Sequence, residues 1–343
     1  MPESGMHRDD SLKSALMQPT TRRKHLGQLA ALGLATCLPV GSACAQDWPS
    51  KPVRLIVPFP AGGSADTFAR LLTQHLSETL KQSFVIENRA GAGGAIGSEM
   101  AARAPADGYT LVISGIGSHV IAPAVAKTPY HPLNSFTHIA LFGGPPAVLC
   151  VHPDSGLRNL REFIALAAAL PQGLSWGSSG SGTHAHLIGE MLREATRSRL
   201  VHVSYKGGAP AMTDLIGRQI PAAVTALSSA MPHVRAGRVR ALATTARARL
   251  PDLPEVPTFA EAGYPQLVAT TWFSLSGPAA MPAAVVASLN AETRRAMQGA
   301  KWRERLQGEG IEPNNLDAAA FTQFVRAEVE RWTPLARAAQ PES

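Results

Sequence analysis

Two stretches of this chain put hydrogen-bond donors at the start of a helix, and both suit a carboxylate. The first is VRLIVPFPAGGSAD, residues 53–66. Phe59-Pro60-Ala61-Gly62-Gly63 turns the chain after a short apolar run, and Ser64 to Asp66 open an apolar-periodic helix. The free N–H groups of a helix start, together with loop glycines, make a place for an anion. Phe59 lies between two prolines at the loop apex and is available to stack on a ligand. Asp66 suits the helix dipole, but its charge would repel an acid directly.

The second stretch is Ser178-Ser179-Gly180-Ser181-Gly182-Thr183-His184-Ala185-His186. Its hydroxyls and N–H groups donate to a carboxylate, at roughly 1.5–3 kcal/mol for each bond to a charged group. A few such bonds from each side suffice for micromolar binding, about −8 kcal/mol after association costs. A third segment, 114–119, follows a strand and is expected to bring Ser114, Ser118 and His119 to the same cleft.

Phosphate-loop, zinc-protease and dithiol motifs do not accompany these donors: the chain has no G-x-x-x-x-G-K-[ST], no H-E-x-x-H and no C-x-x-C. GAGGAIG, residues 91–97, has Ile96 where a dinucleotide fingerprint needs its third glycine, so it reads as packing or a helix start. His184 and His186 are two apart and do not share a helical face, which argues against a metal pair. Cys150 sits in an apolar run and reads as a small buried hydrophobe. No catalytic residue, cofactor or metal is expected.

The elements that must position these donors alternate. Strands are expected at 53–57, 84–87, 109–113, 147–151, 200–204 and 239–244, and helices at 66–80, 160–170, 184–195 and 209–216. The region from Pro282 reads as mainly helical. This alternation predicts α/β layers with mostly parallel sheets. Segments 141–153 and 263–278 read as crossings between two lobes. The predicted lobes are 46–148 with 270–343, and 149–269. Ligands in open α/β sheets bind beyond the carboxyl ends of the strands, so two facing sheets give a cleft with the crossings as hinge.

Residues 1–45 read as an export signal. A basic stretch around Arg22-Arg23-Lys24 precedes an apolar run too short for a permanent span, and Ala43-Cys44-Ala45 offers a small-x-small cleavage site. The general secretory route is favoured over the twin-arginine one, so the chain is expected to be exported. The net charge of +7 is scattered rather than clustered with aromatics, which argues against nucleic acid and suits collection of anionic solutes.

Together these residues resemble the Bug-type periplasmic solute receptors, the binding component of tripartite tricarboxylate transporters. The resemblance runs from Trp48 to Trp332. It is carried by VPFPAGGSAD (57–66), ENRAGAGG (87–94), PADGYTL (105–111), VSYKGGAPA (203–211) and LPEVPT (253–258). It implies an α/β, two-lobed type II periplasmic binding protein (Venus-flytrap) fold with two crossover strands, closing on a small carboxylic acid. The partners it implies are membrane permease subunits or a sensor kinase, with the receptor itself a monomer. The family's carboxylate loops map to Phe59, Ala61, Gly62 and Gly63, and to Ser178, Ser179, Ser181 and Thr183. His186 stands at the family's usual histidine position, which makes His184 the unusual one. Thr225 stands where the family often has an acidic residue, and Ala122 where it often has Asn. Both departures imply a less polar pocket that disfavours amino acids.

Overall fold

The computed structural model describes residues 48–311 and 314–339. The expected export signal lies outside the described residues. Among the described residues no helix is long and apolar enough to cross a membrane.

Among the described residues ten strands form two five-stranded sheets. The first sheet contains β1 (Val53–Val57), β2 (Phe84–Asn88), β3 (Thr110–Gly115), β4 (Phe136–Gly143) and β10 (Phe273–Pro278), in the order β2-β1-β3-β10-β4. The second contains β5 (Ala147–Val151), β6 (Leu174–Ser178), β7 (Leu200–Ser204), β8 (Ala222–Ala226) and β9 (Arg240–Thr244), in the order β7-β6-β8-β5-β9. The central strands are almost continuously apolar because both faces are covered; Val53, Leu55, Ile56 and Val57 are fully buried.

The expectation of mostly parallel sheets needs correction. β1 pairs in parallel with β2 and β3, and β6 with β7 and β8. β10 is antiparallel to both β3 and β4, and β5 to both β8 and β9. The physical reason is the double crossing. β5 and β10 each reach their sheet from the other one, so they run against the strands delivered by helical connections.

The helices cover the sheets. They are α1 (Ser64–Leu80), α2 (Ala95–Ala102), α3 (Ala122–Val125), α4 (Leu160–Ala169), α5 (His184–Thr196), α6 (Gly208–Ile216), α7 (Leu227–Arg235), α8 (Ala283–Met297), α9 (Ala300–Gly308) and α10 (Ala318–Ala338). α1 buries Phe68, Leu72 and Leu76 on one face, and Phe68 stacks on Trp302 of α9 with ring centroids 5.5 Å apart. Each such side chain contributes roughly 1.5–3 kcal/mol on burial.

Segment 114–119 is not a loop. β3 extends to Gly115, and Gly117–Ile121 forms a π-helical turn that runs into α3. α10, about 31 Å long at the α-helical rise, touches both layers. Its Phe321 packs beside His138 of β4, and its Trp332 meets the ring of His184 at 5.3 Å.

Candidate functional site

A cavity of about 690 Å³ opens between the two sheets. Phe59, Ser64 and the 92–96 turn line it from the first sheet's side, and Ser179, Ser181, Gly182, Thr183 and His184 line it from the second. Pro145, Thr271, Trp272 and Phe273 also line it, so the two crossing segments form part of its wall. The crossings are bound to each other: Thr271 N donates to the Pro145 carbonyl at 3.2 Å, and Pro146 and Thr270 form an isolated antiparallel bridge.

The first cradle is organised by Asp66, a buried residue of α1's first turn. Its carboxylate accepts from Gly62 N at 3.0 Å, from Asn88 Nδ2 at 3.0 Å and from Arg70 Nε at 2.8 Å. Asn88 also donates to the Phe59 carbonyl at 3.2 Å, which ties the loop apex to β2. Burial works against the charge of Asp66, but hydrogen bonds from Arg70, Gly62 and Asn88 outweigh it and hold the carboxyl below its usual range. The N–H of Gly62 is therefore already occupied. The first-turn N–H groups of Ser64, Ala65 and Asp66 have no intrahelical acceptor, and Ser64 lines the cavity. The ring of Phe59 sits edge-on to Phe273 at 6.4 Å. It passes so close to Gly94 that a Cβ there would lie 3.3 Å from it and 2.7 Å from Ser118 Cβ.

The second cradle uses most of its own donors. Gly180 N donates to Ser178 Oγ, Ser181 N to Ser204 Oγ, Gly182 N to His186 Nδ1 and Thr183 N to the Gly180 carbonyl. Thr183 caps α5 by accepting from His186 N at 3.3 Å. Three donors remain at the cavity: the N–H groups of His184 and Ala185 at the helix start, and the Ser181 hydroxyl, which makes no hydrogen bond among the described residues. The loop is thus a rigid frame for a helix terminus rather than a row of free amides.

Behind the loop lies a histidine pair. Ser178 Oγ is 2.7 Å from His202 Nε2, and the rings of His202 and His186 are 4.1 Å apart, beside Trp176. Burial and the neighbouring His186 push His202 down to about 4, and burial also lowers His186. Ser178 is fully buried, whereas His202 is half-buried and lines a separate hollow with His186 and Glu190. His184 lines the cavity itself; burial and nearby Arg331 push it down to about 3.

Of the residues expected from the sequence, Phe59, Ser179, Ser181 and Thr183 line this cavity together. Ala61, Gly62, Gly63 and Ser178 belong to the two loops without being part of its lining. Ser114, Ser118 and His119 lie behind the wall. Ser114 Oγ bonds Ser274 and Ser276 within the first sheet, at 2.6 and 2.7 Å, and Ser118 Oγ bonds His119 Nδ1. His119 packs on Phe136 with centroids 4.2 Å apart, and burial with nearby His138 keeps it neutral. Thr225 is fully buried with its hydroxyl directed at the Met212 sulfur; the neighbouring Ala226 lines the cavity instead. Strand alternation explains the swap. Sequence reasoning missed Ile96, Glu99, Lys127 and the crossing residues Pro145 and Trp272 as wall. Only the Gly-Gly-Pro-Pro break and the tandem Thr270-Thr271 carried a signal for the last two.

The profile of the family described as "Tripartite tricarboxylate transporter family receptor" matches residues 68–340. Protein BugT of Bordetella pertussis (strain Tohama I) is 33% identical over 90% of this chain and 96% of its own length. A solved protein of R. palustris with adipate is 35% identical, with a TM-score of 0.77 over 85% of this chain and 98% of its own. MatC from Rhodopseudomonas palustris, with bound malate, is 32% identical, with a TM-score of 0.74 over 84% of this chain and 99% of its own.

Proposed function

Since the chain belongs to the tripartite tricarboxylate transporter receptor family, we propose that the cavity between its two sheets captures a small carboxylic acid outside the cytoplasm. The family is one of solute receptors rather than enzymes, and relatives of the same fold are solved with adipate and malate.

The observation that carries the reading is the meeting of two helix starts in one cavity. Ser64 opens α1 on one side, and Ser181, His184 and Ala185 mark the start of α5 on the other. Both termini present donors without intrahelical partners, and both macrodipoles favour negative charge. The lobes, taken as 46–148 with 270–343 and 149–269, would close about the crossings and exclude water. Closure brings the two sets of donors onto one ligand, where each bond to a charged group contributes roughly 1.5–3 kcal/mol. The loaded receptor, a monomer exported by the general secretory route, would then present its ligand to membrane permease subunits.

Native mass spectrometry of freshly purified protein tests this. The expected result is a co-purifying carboxylic acid that leaves on denaturation and is unchanged by incubation. Turnover of the acid, or binding confined to uncharged solutes in a titration panel, would refute the receptor reading.

A further inference from the structure

The cavity's charge is unevenly distributed. Among the described residues its lining contains three ionisable side chains: Glu99, Lys127 and His184. Glu99 is paired with Arg103 at 2.8 Å, one helical turn on. His184 is a buried neutral imidazole. Lys127 makes no ion pair among the described residues, and its backbone segment is well anchored. Thr128 Oγ1 donates to the Tyr130 carbonyl at 2.9 Å, and the buried Tyr130 hydroxyl donates to the Ser118 carbonyl at 2.5 Å.

Lys127 follows α3 on the first sheet's side, whereas the free donors at the α5 start belong to the second. Ile96, Ile116, Ile121 and Val125 share the wall with them. A site with an anion cradle, an unpaired cation and apolar walls suits a molecule charged at both ends and apolar between. A monocarboxylate held at α5 would leave the Lys127 ammonium without a counter-ion at the edge of an apolar wall.

Resting on the reading of this cavity as a carboxylate site, we propose that Lys127 is a specificity-determining residue that holds a second carboxylate, so that the preferred ligands are dicarboxylates with an apolar spacer. The first carboxylate occupies the helix start of α5, and the spacer lies along the isoleucines. The ammonium then receives the far carboxylate when the cavity closes.

The test is calorimetric titration of the wild-type protein, Lys127→Met and Lys127→Arg. The ligands are matched mono- and dicarboxylates: straight-chain acids of graded length and one aromatic pair. Lys127 is exposed, so both variants are expected to fold. Lys127→Met should weaken the best dicarboxylate roughly tenfold, the scale of one hydrogen bond to a charged group, leave its monocarboxylate match unchanged, and flatten the salt dependence of dicarboxylate binding. Lys127→Arg should restore most of the loss. Equal losses for both members of a pair, or a wild-type preference for monocarboxylates, would overturn the role of Lys127 alone. Binding of no acid by the wild-type protein would overturn the carboxylate reading and the role of Lys127 with it.

Discussion

Gly144 and Thr271 approach each other so closely that a Cβ on Gly144 would stand 2.3 Å from the Thr271 carbonyl oxygen and 2.6 Å from its carbon. This contact joins the two segments that pass between the sheets, and Thr271 also lines the cavity. Gly144→Ala should therefore force the crossings apart, because the clash is with backbone and no flexible side chain can yield. Overpacking of this kind costs about 1–3 kcal/mol. Urea denaturation should show that loss. A ligand titration should show weaker binding as well, since the same backbone forms the cavity wall.

Thr245 holds the crossings from a second side. Its Oγ1 accepts from Ala147 N at 2.8 Å and donates to the Ala269 carbonyl, while its own N–H and carbonyl pair with Ala147 and Ala269 at 2.9 Å each. Thr245→Val keeps the shape but leaves Ala147 N buried without an acceptor. The expected loss is roughly 1–3 kcal/mol. Thermal unfolding of the variant checks it, and an unchanged midpoint would contradict the account.

These two contacts mark what the sequence could not disclose. Strands 53–57 and 147–151 were legible because short, mainly apolar runs set off by proline have few other uses. β4 was not legible as a strand, because Thr137 and His138 interrupt its apolar run; His138 is accommodated by Ser276 Oγ and the Pro132 carbonyl, which only the folded chain brings near. In the site, the glycine-rich loops announced themselves by composition. The direction of each donor did not. Ser114 and Ser118 look like cleft residues in a Gly/Ser run, yet a π-helical turn and sheet pairing rotate their hydroxyls inward. Lys127 lacked any local motif, since its importance comes from being unpaired at a wall built by distant segments.

Asp66→Asn should separate loop order from overall stability. The substitution keeps an acceptor for Gly62 N but removes the charge that engages Arg70 and lets the amide compete with Asn88. The Asn88 side chain that ties the Phe59 loop to β2 then loses its charged anchor at residue 66. Affinity for the acid should fall roughly tenfold, on the scale of one charged hydrogen bond, with a small change in thermal midpoint. A large stability loss with intact affinity would show that Asp66 serves the fold alone.

Acid should destabilise the protein through its buried histidines. Burial pushes His138 from 6.5 down to about 4, a shift only partly opposed by the Pro132 carbonyl, and His184 down to about 3. These groups stay neutral in the native state and take up protons when unfolded. Their stabilising effect is complete above pH 6.5 and is lost progressively as pH falls toward those lowered values. His138 alone accounts for roughly 3 kcal/mol over that window. Urea midpoints measured across it should decline steadily. His138→Gln, which keeps a polar side chain without a proton to gain, should flatten the decline.

Amino acids should bind less tightly than the matching unsubstituted acids. A ligand ammonium needs a carboxylate, and the one in the cavity's lining among the described residues, Glu99, is paired with Arg103. Thr225 faces Met212 rather than the cavity, and Ala226, which does line it, offers no side-chain acceptor. Taking an ammonium out of water beside Ile96 and Ile121 without a counter-charge carries a desolvation cost of several kcal/mol. Succinate against aspartate and glutarate against glutamate are the direct comparisons, because each pair differs only by the amino group. The unsubstituted acid should win by at least tenfold in each pair, and the gap should narrow when Arg103→Ala frees Glu99. Equal affinity within both pairs would mean that closure brings another acceptor to the amino group.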